Sequence, residues 1–239
     1  MTLKSIYSPN FGPKRRKNDE IKYIIIHYTG MQSMRASITR LINTKHKVSC
    51  HYLISRAGLV MQMVEENKVA WHAGKSKWKK INNLNQNSIG VELINKGHKF
   101  GYEKFTKKQI TNLMKLIIRL KKKYKIKNSC ILGHSDIAPL RKIDPGEKFP
   151  WKLLSKKKIG IWYLSTRINY QNLKQSKFRN LFFKNLYKIG YRYFNKKNTS
   201  KINDKLIVKA FQRRFRPKKI SGLIDQETLK ISHFLAIQN

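Results

Sequence analysis

The run Tyr23-Ile24-Ile25-Ile26-His27 constrains this chain more than any other feature. It is too brief for a helix, and its β-branched residues leave no polar face, so it reads as a short buried strand. A histidine closes the run, and a strand end can project such a ring from the sheet edge. Other segments repeat the theme. His51–Ile54 and Leu59–Val64 flank Ser-Arg-Ala-Gly and read as a hairpin. Ile89–Ile94 is a further strand, and Cys130–Leu132 is a strand ending at Gly133-His134. Ser37–Asn43 suits a short helix, and Phe105–Tyr124 is the clearest long one. There Thr106 and Gln109 have capping-box spacing. Ile110, Leu113, Met114, Ile117 and Ile118 form an apolar stripe. Lys121, Lys122 and Lys123 follow where the helix dipole favours cations. Strands alternating with helices predict an α/β layer fold.

The 239 residues suit one catalytic domain plus a small accessory domain. With 40% hydrophobic residues there is material for a core, which excludes a wholly disordered chain. No apolar run approaches about 18 residues, so no transmembrane helix is expected. Residues 1–20 are polar and basic and read as an arm; 21–160 carry the strands. After Trp151 the pattern changes to Lys runs and aromatics. Asn203 reads as the cap of a helix bearing Leu206, Ile207, Ala210, Phe211 and Phe215. Asp225 reads as the cap of a last helix bearing Leu229, Phe234 and Ile237. Residues 165–239 are expected to form a small helical domain.

Lys and Arg total 53 against 12 Asp and Glu, a net charge of +41. Such a surface calls for an anionic partner: nucleic acid, a membrane surface or an acidic polymer. It says little about chemistry. Two cysteines, Cys50 and Cys130, make no disulfide scaffold and read as reduced small residues in apolar runs. The N-terminal residues lack the apolar stretch of a secretory signal.

Four segments place polar residues at strand ends or in loops: Ile26–Thr29, Trp71–Gly74, Gly90–Leu93, and Gly133–Asp136 continuing to Lys142–Gly146. His27, His134 and Asp144 are a ligand set that a catalytic zinc accepts, leaving one tetrahedral position for water. Glu92 lies between Val91 and Leu93 in an apolar strand and faces opposite to them. A carboxylate there needs a partner or a task, and taking a proton from a metal-bound water is such a task. Lys142 is placed to stabilise an oxyanion. Plainer readings stay open at this point. Each histidine could be a satisfied core residue, Glu92 could pair with one of many cations, and Lys142 could be a solvated charge. His51 and His72 read as structural or pocket-lining; His46, His98 and His233 receive no role. Trp71, Trp78, Trp151 and Trp162 read as core.

Taken together, IIIHYTG (24–30), VSCHYLISRAGLVMQMV (48–64), AWHAGKS (70–76), NSIGVELIN (87–95) and LGHSDIAPLRKIDPGEKFPW (132–151) resemble the zinc-dependent N-acetylmuramoyl-L-alanine amidases of the type 2 amidase family. That family is related to peptidoglycan-recognition proteins and to phage T7 lysozyme. The resemblance covers about residues 21–151. It implies a central mixed sheet flanked by helices, with Zn2+ held by His27, His134 and Asp144. It implies Glu92 as catalytic carboxylate and Lys142 as transition-state stabiliser. It places His72, with Trp71 and Ala73, beside the substrate groove. Some members use Cys as third ligand, whereas here Asp144 stands in an Asp-Pro-Gly form. The implied reaction is hydrolysis of the amide between the lactyl group of N-acetylmuramic acid and L-alanine of the stem peptide. VKAFQRRFRPKKISGLIDQETL (208–229) is similar to the second half of a peptidoglycan-binding repeat domain, so an all-α, three-helix unit is expected to follow.

Expected partners are therefore peptidoglycan or muropeptides and an anionic wall or membrane surface, with no specific nucleic acid. The wall-binding-like unit points to the cell envelope and the missing signal to the cytoplasm. Two rival readings remain. One is a nucleic-acid-binding protein using Lys14-Arg15-Arg16-Lys17, Lys156-Lys157-Lys158 and Arg213-Arg214 as phosphate contacts. The other is a recognition protein that binds muropeptide without cutting it.

Overall fold

The computed structural model describes residues 3–164, 177–194 and 201–238. In chain order the strands are β1 (Leu3–Ser5), β2 (Phe11–Arg15), β3 (Tyr23–Tyr28), β4 (Tyr52–Ile54), β5 (Val60–Gln62), β6 (Lys68–Ala70), β7 (Lys77–Trp78), β8 (Ile81–Asn82), β9 (Ser88–Leu93) and β10 (Ile131–Gly133). The helices are α1 (Met34–Ile42), α2 (Lys107–Tyr124), α3 (His134–Ile137), α4 (Trp151–Ser155), α5 (Phe178–Ile189), α6 (Lys201–Phe215) and α7 (Gln226–Ile237). A six-stranded mixed sheet runs β1-β5-β4-β9-β3-β10. The predicted hairpin β4–β5 is antiparallel, and β3 lies parallel to both β9 and β10. Central parallel strands need cover on both faces.

One face is covered by α2. Ile24, Ile26, Val91 and Leu93 pack against Ile110, Leu113, Leu116, Ile117 and Leu120. The buried stripe is turned slightly from the expected one: Ile118 is 52% exposed, while Leu116, Leu120 and Tyr124 are buried. The sequence 110, 113, 117, 120, 124 tracks a period of 3.6, and Ile118 falls off that line. Thr106 caps α2 by accepting from the Gln109 amide nitrogen at 3.1 Å. Gln109 does not complete the box. Its side chain is buried and donates to the carbonyls of Ile54 and Ile94, each at 3.1 Å, where β4 and β9 end.

The other face is covered by the C-terminal helices. Tyr23, Ile25 and Leu132 share a core with Phe182 and Leu186 of α5, Ile207 and Phe211 of α6, and Leu229 and Ile231 of α7. The helical region therefore packs as a layer of the same body. Its expected first residues, 165–176, lie outside the described residues, as do 195–200. Helix α6 begins at Lys201, so Asn203 lies within it and caps nothing. Asp225 does cap α7, accepting from the Thr228 amide at 3.0 Å. Gln212 is fully buried beside Phe211. It accepts from Gly222 N at 2.8 Å and donates to Leu223 O at 2.8 Å, which clamps the turn before α7. Gly222 has φ +76°, a conformation glycine adopts without strain.

The N-terminal residues correct the sequence reading. Rather than forming a free arm, β1 pairs with β5 at the sheet edge and β2 pairs with β6. Arg16 is buried. Its guanidinium donates to the carbonyls of Ser88 and Glu66, each at 2.7 Å, and reaches those of Asn85 and Gln86. These partners are remote in sequence, and local composition carries no trace of them. Cys50 is buried, Cys130 is half-buried, and both are free thiols. Among the described residues no helix is long and apolar enough to cross a membrane.

Candidate active site

Alternation along two neighbouring strands builds the site. In β9, Ile89, Val91 and Leu93 face α2, so Ser88, Gly90 and Glu92 face the other way. In β3, Ile24 and Ile26 face α2, leaving Tyr23, Ile25 and His27 on the opposite side. The register pairs Ser88 with Tyr23, Gly90 with Ile25 and Glu92 with His27. The end of β10 adds His134, which opens α3. The backbone of Ser135 donates to Asp144 O at 2.9 Å and draws the following loop back to the strand end.

The structure brings His27, His134 and Asp144 together. His27 Nδ1 lies 2.9 Å from His134 Nδ1 and 3.1 Å from Asp144 Oδ2, and His134 Nδ1 lies 3.0 Å from the same oxygen. All three residues are buried. At metal–ligand distances of about 2.0–2.1 Å, a tetrahedral ion sets its ligand atoms about 3.3 Å apart. The observed triangle is close to that size. Two imidazole nitrogens and one carboxylate oxygen fit a metal ion.

Electrostatics follows from burial and crowding. Burial, with the neighbouring His134, brings the His27 imidazole down to about 4. Burial would raise the Asp144 carboxyl, but the two imidazoles against it, His134 first, hold it far below the usual carboxylate range. Glu92 moves in the opposite direction, pushed up to about 8 by burial and by the Asp144 charge. Its Oε2 is buried without a hydrogen-bond partner. Lys142 is half-buried on the loop between α3 and Asp144, and its charge is felt at both Glu92 and His27.

The WHAG segment lies against the cluster. The His72 ring is buried behind His27, with Nδ1 3.0 Å from His27 Nε2 and Nε2 3.2 Å from Ser88 Oγ. It lines the back of the cluster. Ala73 is buried and offers its carbonyl to His134 Nε2 at 3.1 Å and to Arg141. Trp71 is half-buried. His51 is structural: Nδ1 accepts from Gly90 N at 3.0 Å, and Nε2 lies 3.1 Å from Lys68 O.

Sequence reasoning assigned nothing to His98, yet it joins a polar rim beside the cluster. Its Nδ1 lies 2.9 Å from the Tyr28 hydroxyl and its Nε2 lies 3.0 Å from Glu147. Its ring stacks on Tyr102 at 4.3 Å. Burial and the Asp144 charge push the Tyr28 phenol up to about 12. The only signal for this rim was Tyr28 following His27.

The basic clusters suggested as phosphate contacts are partly committed inside the protein. Arg16 and Arg214 are buried, and Arg213 lies 3.8 Å from Glu147.

A family model described as N-acetylmuramoyl-L-alanine amidase matches residues 17–147. The chain is 33% identical over 229 residues to the Escherichia coli N-acetylmuramoyl-L-alanine amidase AmiD, covering 90% of this chain and 82% of that protein. It is 33% identical over 167 residues to the Haemophilus influenzae 1,6-anhydro-N-acetylmuramyl-L-alanine amidase AmpD, covering 62% of this chain and 88% of that one. The solved structure of E. coli AmiD with the substrate anhydro-N-acetylmuramic acid-L-Ala-D-gamma-Glu-L-Lys superposes with a TM-score of 0.81 at 30% identity, over 95% of this chain and 92% of that chain. Pseudomonas aeruginosa AmpDh3 with anhydromuramic pentapeptide superposes at 0.77 and 29% identity, over 95% and 94%. The His–His–Asp triangle, the unpartnered glutamate beside it and these likenesses agree: the chain belongs to the N-acetylmuramoyl-L-alanine amidase family of type 2.

Proposed function

We propose that this protein hydrolyses the amide between the lactyl group of N-acetylmuramic acid and L-alanine of the stem peptide, with Zn2+ held by His27, His134 and Asp144. The carrying observation is the convergence of His27 Nδ1, His134 Nδ1 and Asp144 Oδ2 within 2.9–3.1 Å of one another. A zinc ion there supplies Lewis acidity to the scissile carbonyl and lowers the pKa of a water.

The chain's own residues do the rest. Glu92, next to His27 in register and with a bare Oε2, takes the water's proton and later delivers it to the leaving L-alanine nitrogen. Lys142 steadies the oxyanion of the tetrahedral intermediate.

Muropeptides or peptidoglycan are the substrates this reading assigns, consistent with the muropeptides in the two related complexes. The positive charge would hold the protein on an anionic wall or membrane surface. The helical region is read as peptidoglycan-binding-like, supported by the Phe211-Gln212 pair and the turn it clamps. Mass spectrometry of products from intact sacculi and from soluble anhydro-muropeptide, with and without chelator, tests the assignment. Free stem peptide beginning at L-alanine, suppressed by chelator and restored by zinc, is expected. Intact substrate after incubation with the zinc-loaded protein would overturn it and favour recognition without cleavage.

A further inference from the structure

His72, Ser88 and Gly90 take no part in the chemistry above, yet they form one buried unit behind His27. Ser88 Oγ lies 2.5 Å from Leu84 O, and a carbonyl can only accept, so the hydroxyl proton is committed there. Towards His72 the same oxygen is therefore an acceptor, and His72 Nε2, 3.2 Å away, carries a proton. Among the described residues the partners of His72 are His27, Ser88 and, through its backbone, Asn85, and none is acidic. The ring is buried among His27, His51 and Ser88, where a second, charge-bearing N–H would have no anionic acceptor, so it carries a single N–H. His72 Nδ1 is then a bare lone pair, and His27 Nε2, 3.0 Å away, donates to it. His27 Nδ1 is left unprotonated, and it is this atom that faces His134 and Asp144.

The other imidazole reaches the same state by a different route. His134 Nε2 donates to Ala73 O at 3.1 Å, which leaves its Nδ1 bare. Both tautomers are thus set from behind.

Gly90 provides the seat. A Cβ at that position would lie 2.5–2.7 Å from Cδ2 and Nδ1 of the His72 ring and closer still to Cγ. The φ of Gly90 is not positive, so the backbone itself does not demand glycine. The demand comes from the imidazole packed against the strand.

We infer that His72, anchored by Ser88 and seated over Gly90, is a positioning residue that fixes His27 as the Nε2–H tautomer so that Nδ1 faces the metal position. The last clause rests on the zinc reading; the Nε2–H assignment itself rests on the His72, Ser88 and Leu84 contacts. Outer partners of this kind change metal affinity by about 10–100-fold.

The test compares His72→Leu, which fills the volume without an acceptor, with His72→Gln, whose amide can accept from His27 and donate to Ser88. Zinc affinity is measured by competition with a chromophoric chelator. The His27 tautomer is read from 15N imidazole shifts of the metal-free protein. His72→Leu is expected to weaken zinc binding about 10–100-fold and to populate the Nδ1–H form of His27. His72→Gln should recover most of the affinity and the Nε2–H signature. Ser88→Ala, a smaller change that keeps the fold within reach, should give the same shift in weaker form. Unchanged zinc affinity with a retained Nε2–H signature in His72→Leu or Ser88→Ala overturns the inference. So does a His72→Gln variant no better than His72→Leu. If wild-type protein shows the Nε2–H tautomer but binds no zinc, the relay stands and the metal assignment fails.

Discussion

Arg214→Met is the perturbation whose size can be worked most directly from the structure. The Arg214 and Asp136 side chains are 3% and 1% exposed, and they form an ion pair between α6 and α3. Arg214 also donates to Ile131 O at 3.1 Å and lies 4.0 Å over the Trp151 ring. Methionine keeps much of that packing but leaves Asp136 with only the Tyr191 hydroxyl at 2.6 Å and Gly133 N at 2.7 Å. Breaking a buried pair from one side costs about 3–5 kcal/mol, because the remaining charge has lost its counter-charge. For a chain of this size each kcal/mol moves Tm by roughly 2–4 °C, so a fall of about 10 °C is expected by calorimetry or circular dichroism. Adding Asp136→Asn removes the stranded charge; its one amide oxygen can still accept from Gly133 N, and the Tyr191 hydroxyl can turn to accept from the amide nitrogen. The double variant should recover more than half of the loss. A single-variant loss below about 1 kcal/mol, or a double variant no more stable than the single, would refute the claim that the helical layer is tied to the sheet through this pair.

Three further outcomes are expected. Glu92→Gln should keep its zinc by elemental analysis, lose about 10²–10⁴-fold in amide turnover, and unfold at a higher temperature than wild type once chelated, because it replaces a carboxyl whose buried Oε2 has no hydrogen-bond partner; full turnover would contradict the role given to Glu92. Burial would raise the Glu66 carboxyl, but donors from Lys123, Tyr124 and Tyr52 and the Arg119 charge bring it down to about 2. The folded pKa is depressed, so its contribution, on the order of 3 kcal/mol, is present above pH of about 4.5 and fades as pH falls towards about 2. The Tm gap between wild type and Glu66→Gln should narrow over that window, and a constant gap would argue against it. Sedimentation with sacculi should fall as salt rises from roughly 0.05 to 0.5 M, since screening weakens attraction between exposed charges, and salt-independent binding would assign retention to other contacts.

How far the sequence could be read depends on the range of the interactions involved. The strand Tyr23–Tyr28, the hairpin, the long helix and the Asp225 cap are local patterns, and each is found close to its expected place. The meeting of His27, His134 and Asp144 is long-range, and it was reached through motif order rather than through spacing. What went astray was what only tertiary pairing decides. Arg16 looked like one more surface cation because its carbonyl partners are far along the chain. Ile118 shares the apolar character of its neighbours but lies one step off the buried line. Gln109 matched a capping box, yet its amide found two strand-end carbonyls instead. The C-terminal helices showed apolar positions, but nothing local said that the sheet itself was their partner. For His72 the sequence offers a structural or pocket-lining role, and only the folded strand shows that Gly90 makes room for its ring.

The central claim is that His27 Nδ1, His134 Nδ1 and Asp144 Oδ2 hold one zinc ion beside Glu92. Crystals of the zinc-loaded protein, measured on both sides of the zinc absorption edge, test it most directly. One strong anomalous peak about 2.0–2.2 Å from each of those three atoms is expected. A peak bonded through the Nε2 atoms, or located away from this triangle, would contradict it.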